Sequence, residues 1–264
     1  MKIKHLLCFI ALCLFFTPGK AQQLSVMTLR NGATVYIWED KSKPDVFGMI
    51  AFKVGSVDDP EQYTGLAHYL EHVMFKGTQT IDALDWEKEK PIYEKIIAKY
   101  DERAALSDPA AREAVDKEIN DLTREAAQYA AGNEFSLLVD HMGGQGLNAS
   151  TGYDQTEYHN SFPPSQLEKW LEIYSERLID PVFRGFQTEL EAVYEEYNMY
   201  NDDRGSRMRE FIYEQAFGDH PYARPIIGLP EHLKNPQLSK LIDFYNTWYG
   251  PQNMSIILVG NIDA

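Results

Sequence analysis

Cysteine is nearly absent: the 264-residue chain has two, Cys8 and Cys13, both close to its start. Without others, neither a disulfide framework nor a cysteine metal site can be built from the rest of the chain. Basic residues are few, 25 Lys and Arg against 40 Asp and Glu, for a formal net charge of −15. A surface of that sign lacks the basic patches that phosphates require, which argues against nucleic-acid binding. It suits plain solubility or basic peptide substrates. Beyond the first residues no apolar run is long enough to span a membrane, and no internal repeat or low-complexity stretch is visible.

The N-terminal segment does have an apolar run. Lys2 and Lys4 precede Leu6–Phe16, and Thr17-Pro18-Gly19-Lys20-Ala21 follows before Gln22. This is the pattern of a signal peptide over residues 1–21, so the protein is expected to be exported, periplasmic or secreted. The alternative is a retained anchor, although the apolar core is short for a transmembrane helix. Neither cysteine sits where a lipoprotein signal needs one. Cleavage removes three lysines and no acid, taking the formal charge from −15 to −18.

The most informative residues are His68-Tyr69-Leu70-Glu71-His72. From Thr64 to Phe75 there is no proline, and Leu66, Leu70, Val73 and Met74 repeat at helical spacing, which predicts a buried amphipathic helix. His68 and His72, four apart, share one face of it. Their ring nitrogens can reach one ion, with Glu71 beside them to take a proton from water: the H-x-x-E-H order of zinc peptidases. The bland alternative is a helix whose histidines are merely hydrogen-bonded. It leaves polar groups to be satisfied inside a strongly apolar helix.

A catalytic zinc takes three protein ligands and an open position. The acidic helix Thr188–Asn201 offers Glu189 and Glu196, seven apart and so on one face. Spacing permits Glu196 as ligand, with Glu189 orienting a histidine or holding a water. It leaves the neighbouring Glu195 open, and such a helix is by itself more often a solvated acidic face.

LRNGATVYIWED, FKVGSVDDP, GLAHYLEHVMFKGT, GGQGLNASTGYDQTEYH, ELEAVYEEYNMYND, HPYARPIIG and WYGPQNMSIILVGNID together make the chain resemble the pitrilysin-family inverzincin peptidases. That family includes insulin-degrading enzyme and the mitochondrial processing peptidase, and the resemblance is to its N-terminal catalytic domain. It implies Zn2+, one per chain, held by His68, His72 and Glu196, with Glu71 as general base and Glu189 as the earlier glutamate of the pair. It further implies an extended peptide docking beside the metal by β-augmentation on the strand Leu147–Thr151, with contacts from Asn148, Ala149 and Ser150. An ordinary edge strand of small residues is the competing reading. Phe75 is a candidate for an apolar subsite, with a core role as its alternative. The implied activity is zinc-dependent endopeptidase on peptides or unfolded segments; the alternative is a non-catalytic peptide-binding or scaffold subunit. Retention of all three ligands and Glu71 favours the enzyme.

Two departures from the family pattern stand out. The 123 residues between His72 and Glu196 exceed the usual spacing, and the surplus falls at about 83–131. There Tyr93, Ile97, Tyr100 and Ala104, then Val115, Ile119, Leu122, Ala126 and Tyr129, step as the seam of a helical hairpin. Asp108-Pro109 supplies the cap and first residue of its second arm. Its charged outer faces predict a solvated appendage. The second departure is that only four residues follow the core-strand pattern Met254–Gly260. In the family this strand leads into more of the domain, and a second domain or partner subunit completes the active-site chamber.

The fold class expected is α+β, a mixed sheet with helices packed on one face plus the hairpin insertion, within one domain over 22–264. Strands are predicted at Leu24–Leu29, Ala33–Glu39, Val46–Val54 and Asp154–Phe162, with Asn31-Gly32 as a hairpin turn. A core helix is predicted at Ser165–Ile179.

Overall fold

A computed structural model describes residues 24–263. The expected signal peptide and both cysteines lie outside the described residues. The elements run β1 (Leu24–Thr28), β2 (Thr34–Glu39), β3 (Val46–Phe52), α1 (Leu66–Val73), α2 (Trp86–Ala105), α3 (Pro109–Ala126) and α4 (Glu134–His141). They continue with β4 (Gln145–Thr151), β5 (Thr156–Phe162), α5 (Leu167–Ile179), α6 (Phe186–Asp202), α7 (Arg204–Phe217), α8 (Pro230–Leu233), α9 (Leu238–Trp248) and β6 (Met254–Gly260). Among the described residues, no helix is long and apolar enough to cross a membrane.

The strands form one mixed sheet in the order β1-β2-β6-β3-β5-β4. The β2–β6 pair is parallel and the other neighbours are antiparallel. Alternation sends Val35, Ile37, Val46, Ile50, Phe52, Tyr158 and Phe162 into the core, while Leu24, Val26, Trp38 and Val259 on the other face stay exposed. The helices therefore cover one face, as an α+β sheet with one buried side requires. Space is tight beneath them. A Cβ on Gly48 of β3 would lie 2.7 Å from both Phe162 and Trp170, so only glycine lets the α5 indole stack on Phe162. The buried Asn160 on the same face is satisfied: its Oδ1 accepts from Trp170 Nε1 at 2.8 Å and from Tyr174 Oη at 2.7 Å.

The hairpin differs from its expectation. Asp108 does cap α3, accepting the Ala111 N–H at 3.0 Å, and Pro109 opens the helix. The buried stripe of α2, however, is Glu89, Ile92, Ile96 and Tyr100, a face offset from the Tyr93–Ile97 seam because it packs on the domain as well as on α3. Tyr100 meets Phe186 edge to face at 4.8 Å, and Glu89, 1% exposed, receives Arg184 through two contacts of 2.6 and 2.8 Å. A paired, buried charge joins the hairpin to the body, so it is not a solvated appendage.

Candidate metal centre

The short helix α1 is held at both ends by buried polar groups. Gly65 caps it at φ 88, where a Cβ would meet the Ile227 carbonyl oxygen at 2.5 Å. This left-handed residue is why the helix begins at Leu66 and not at Thr64. Asp59 accepts the Gly65 and Ala67 amides at 2.7 and 2.8 Å, satisfying free N–H groups of the first turn. At the other end, Arg177 of α5 donates from Nε to the Met74 carbonyl at 2.9 Å. Its guanidinium is fully buried, 4.2–4.6 Å from the ring centres of Phe75, Phe135 and Tyr158, where cation–π attraction partly replaces hydration. Leu70, Val73 and Met74 fill the core beneath, each contributing about 1.5–3 kcal/mol by burial.

This packing leaves His68 and His72 together on the remaining face, ring centres 4.8 Å apart. Glu196 from α6 points its Oε2 at both, 3.6 Å from His68 Nε2 and 3.5 Å from His72 Nε2. Two ligands each about 2.1 Å from a tetrahedral ion stand roughly 3.4 Å apart. The observed separations match that edge, and one ligand atom from each of the three residues lies within 4.8 Å of the others. The donor set of two imidazoles and a carboxylate therefore fits zinc. Among the described residues, no other cluster of three His, Cys, Asp or Glu side chains has this geometry. Glu195 is exposed, so of the adjacent pair Glu196 is the one that reaches the histidines.

Glu189 sits one helical repeat back, with Oε2 3.6 Å from His72 Nδ1 and Oε1 2.6 Å from Lys76 Nζ. Glu71 lies beside the histidines, 8% exposed, its Oε2 accepting the Thr151 hydroxyl at 2.7 Å. Burial raises the pKa of Glu71 and the Thr151 hydrogen bond opposes the rise. Burial and neighbouring His72 push His68 down to about 4, leaving a neutral imidazole with a lone pair to offer. Burial also works against a charged His72, but the facing carboxylates of Glu189 and Glu196 outweigh it and carry the group to about 9.

The cluster floors a cleft of about 640 Å³. Residues Asn148–Thr151 of the edge strand β4 form one wall, and Tyr200, Arg209 and Tyr213 form part of the other. Asn148 and Ser150 are exposed and Ala149 is buried. Asn148 Oδ1 accepts the Ala149 N–H at 2.9 Å, covering one backbone donor of the strand. Phe75 does not line the cleft; it packs edge to face on Phe135 at 6.1 Å and under Arg177, a core role.

Sequence reading passed over Thr151, Tyr200, Lys76 and Arg177. Tyr200, four residues after Glu196 and hydrogen-bonded to it, was open to detection from helical spacing. Thr151 and Arg177 reach α1 from elements far away in the chain, and no local pattern announces them.

A model of the insulinase family (peptidase family M16) matches residues 34–90 and 120–229, leaving 91–119 of the hairpin unmatched. A model described as the peptidase M16 inactive domain matches residues 237–264. Zinc protease PqqE of Helicobacter pylori is 25% identical over 242 residues, covering 90% of this chain and 43% of the relative. An uncharacterized zinc protease of Mycobacterium tuberculosis is 28% identical over 214 residues, covering 80% and 37%. The chain thus spans less than half the length of these curated relatives. Among solved structures, a protease from Helicobacter pylori superposes with a TM-score of 0.70 at 22% identity, covering 92% of this chain and 48% of that one. The periplasmic protease PqqL from Escherichia coli gives 0.67 at 24% identity, covering 92% and 23%. Both likenesses are of fold.

Proposed function

Because the chain belongs to the insulinase family of peptidases, M16, we propose that it forms the metal-holding part of a zinc endopeptidase acting on extended peptides or unfolded segments. The observation that carries this reading is the convergence of His68, His72 and Glu196 within 4.8 Å, with Glu71 on the same helix. Zinc is the metal in the names of the curated relatives. Bound by these three residues, it would supply a Lewis acid that acidifies water and polarises the scissile carbonyl.

The remaining steps belong to this chain's own side chains. Glu71 is fixed through Oε2 by Thr151, which leaves Oε1 to accept a proton from water and return it to the leaving amine. Its burial favours the protonated form after that first transfer. Glu189 holds the His72 ring through Nδ1 and is itself held by Lys76, fixing the ring's orientation. A substrate strand adds to the β4 edge near Asn148, Ala149 and Ser150, pairing through its main chain and displacing Asn148 from the Ala149 amide.

A floor, one strand wall and part of a second do not hold a peptide in a reactive geometry. Met199, Met208, Phe211 and Ile212 are exposed apolar residues of α6 and α7, the helices that carry part of the cleft lining. We infer that a second domain or partner subunit closes the cleft. Export, periplasmic or beyond, is inferred from the N-terminal segment alone. The test is cleavage of a quenched fluorescent peptide by this chain. Turnover should be weak, abolished by chelation and absent in Glu71→Gln. Turnover that survives chelation, or persists in Glu71→Gln, contradicts the mechanism.

A further inference from the structure

Across the cleft from β4 stands Tyr200, four residues after Glu196 on α6. Positions four apart share a helix face, so the phenol lies beside the carboxylate that stands 3.6 and 3.5 Å from the two histidine Nε2 atoms. Its hydroxyl reaches Glu196. Two other tyrosines of the same helix, Tyr194 and Tyr197, pack against the core, whereas Tyr200 is 41% exposed and lines the cleft. A phenol in that position gains little from burial of its ring and keeps an O–H donor within reach of whatever enters.

Other donors along the cleft are engaged. The Thr151 hydroxyl donates to Glu71 at 2.7 Å and the Ser150 hydroxyl to Glu157 at 3.1 Å. Asn148 turns its side chain back on the Ala149 amide. Arg209 donates to Ser206 at 3.4 Å, and the rings of Tyr153 and Tyr213 stack on each other at 5.4 Å. Besides the two histidines, Tyr200 is the side chain whose donor acts on Glu196.

Resting on the peptidase reading above, we propose that Tyr200 is a catalytic residue, donating from Oη to the scissile carbonyl oxygen as water adds to the carbonyl carbon. In that step the carbonyl π pair moves onto the oxygen and Glu71 takes the water's proton. Tyr200 keeps its own proton and contributes a hydrogen bond. A peptide on the β4 edge lies between that strand and Tyr200, so the hydroxyl faces the reacting group from the side opposite the pairing main chain. Before reaction the hydroxyl is directed to Glu196. As charge builds on the carbonyl oxygen, that oxygen becomes the stronger acceptor. A donor that binds the transition state better than the substrate raises the rate and not only the affinity.

The test uses the zinc-loaded whole chain and two dansylated alanine hexapeptides, one with a central phosphinic unit in place of an amide and one with every amide intact. The tetrahedral phosphinate anion stands in for the charged oxygen of the reacting carbonyl. By fluorescence anisotropy, Tyr200→Phe should bind the phosphinic peptide about tenfold or more weakly, with less than about twofold change for the amide peptide and zinc content unchanged. An equal loss on both peptides would reduce Tyr200 to a general binding contact, and lost zinc would make it a support for Glu196. Either result overturns the proposal, as does unchanged affinity for both peptides. A loss seen in Arg209→Gln and absent from Tyr200→Phe overturns it too, by moving the role to Arg209. All of these outcomes leave the wild-type chain holding zinc and preferring the phosphinic peptide. Failure of the peptidase reading is distinct: the wild-type chain then takes up no zinc or binds the two peptides alike, and the role of Tyr200 falls with it.

Discussion

In the metal-stripped protein, His72 should keep its proton well above neutrality. Burial alone would lower its pKa, but the Glu189 and Glu196 carboxylates at 3.6 and 3.5 Å reverse the shift and take it to about 9 from 6.5. At pH 8 such a group is about nine-tenths protonated, whereas an ordinary histidine is only about 3% protonated. The folded pKa lies above the unfolded one. The associated stability is therefore fully present below pH 6.5 and is lost as pH rises through about 9. The shift corresponds to roughly 3 kcal/mol before screening, and partial exposure of the ring reduces that to about 1–2 kcal/mol. Imidazole NMR of chelator-treated protein, with urea unfolding at the two ends of the range, measures both quantities. Glu189→Gln should lower the His72 midpoint, and zinc added at neutral pH should expel the proton, because the bound ring must be neutral. A wild-type midpoint near 6.5, or one unmoved by Glu189→Gln, would refute the electrostatic account of this face.

Three further outcomes follow from the packing around the site. Arg177→Ala removes a guanidinium lodged among three rings and the donor to Met74, and should cost about 3–5 kcal/mol in urea unfolding; a loss below about 1 kcal/mol would show that the arginine is dispensable. Replacing Trp86–Ala126 with a short linker should destabilise the domain by at least about 3 kcal/mol, because it exposes Phe186 and leaves Arg184 unpaired. Unchanged thermal stability would restore the hairpin to an appendage. Thr151→Val removes a hydrogen bond that holds the Glu71 pKa down, so the acid limb of the pH–rate profile should move to higher pH; an unmoved limb would exclude that contact.

Local chemistry made much of this legible in the sequence. His68, Glu71 and His72 declare themselves because ligand spacing and helical period coincide on a few residues. The strand alternation of β3 and β5, the Asp108–Pro109 start of α3 and the Trp170–Tyr174 core face were equally local. Choosing Glu196 over Glu195 needed the family resemblance, since adjacent positions on a helix cannot be ranked by spacing alone. The contacts that escaped are long-range. Tyr100 reads as part of a self-contained seam until the Glu89–Arg184 pair turns its helix toward the body. Arg177 looks like one more charge on an amphipathic helix and is instead a buried cation, silent in sequence because the rings that hold it, Phe75, Phe135 and Tyr158, come from three distant parts of the chain. The helix limits at Leu66 and Val73 were also hidden, set at the start by the left-handed Gly65.

The most direct test of the central claim is zinc-edge anomalous diffraction from crystals of the zinc-loaded chain. One peak is predicted, about 2.0–2.1 Å from His68 Nε2 and His72 Nε2 and at a similar distance from Glu196 Oε2. Glu71 and Glu189 should lie outside bonding range. A peak elsewhere, or a carboxylate ligand from Glu189 or Glu195 in place of Glu196, would contradict the assignment and the mechanism built on it.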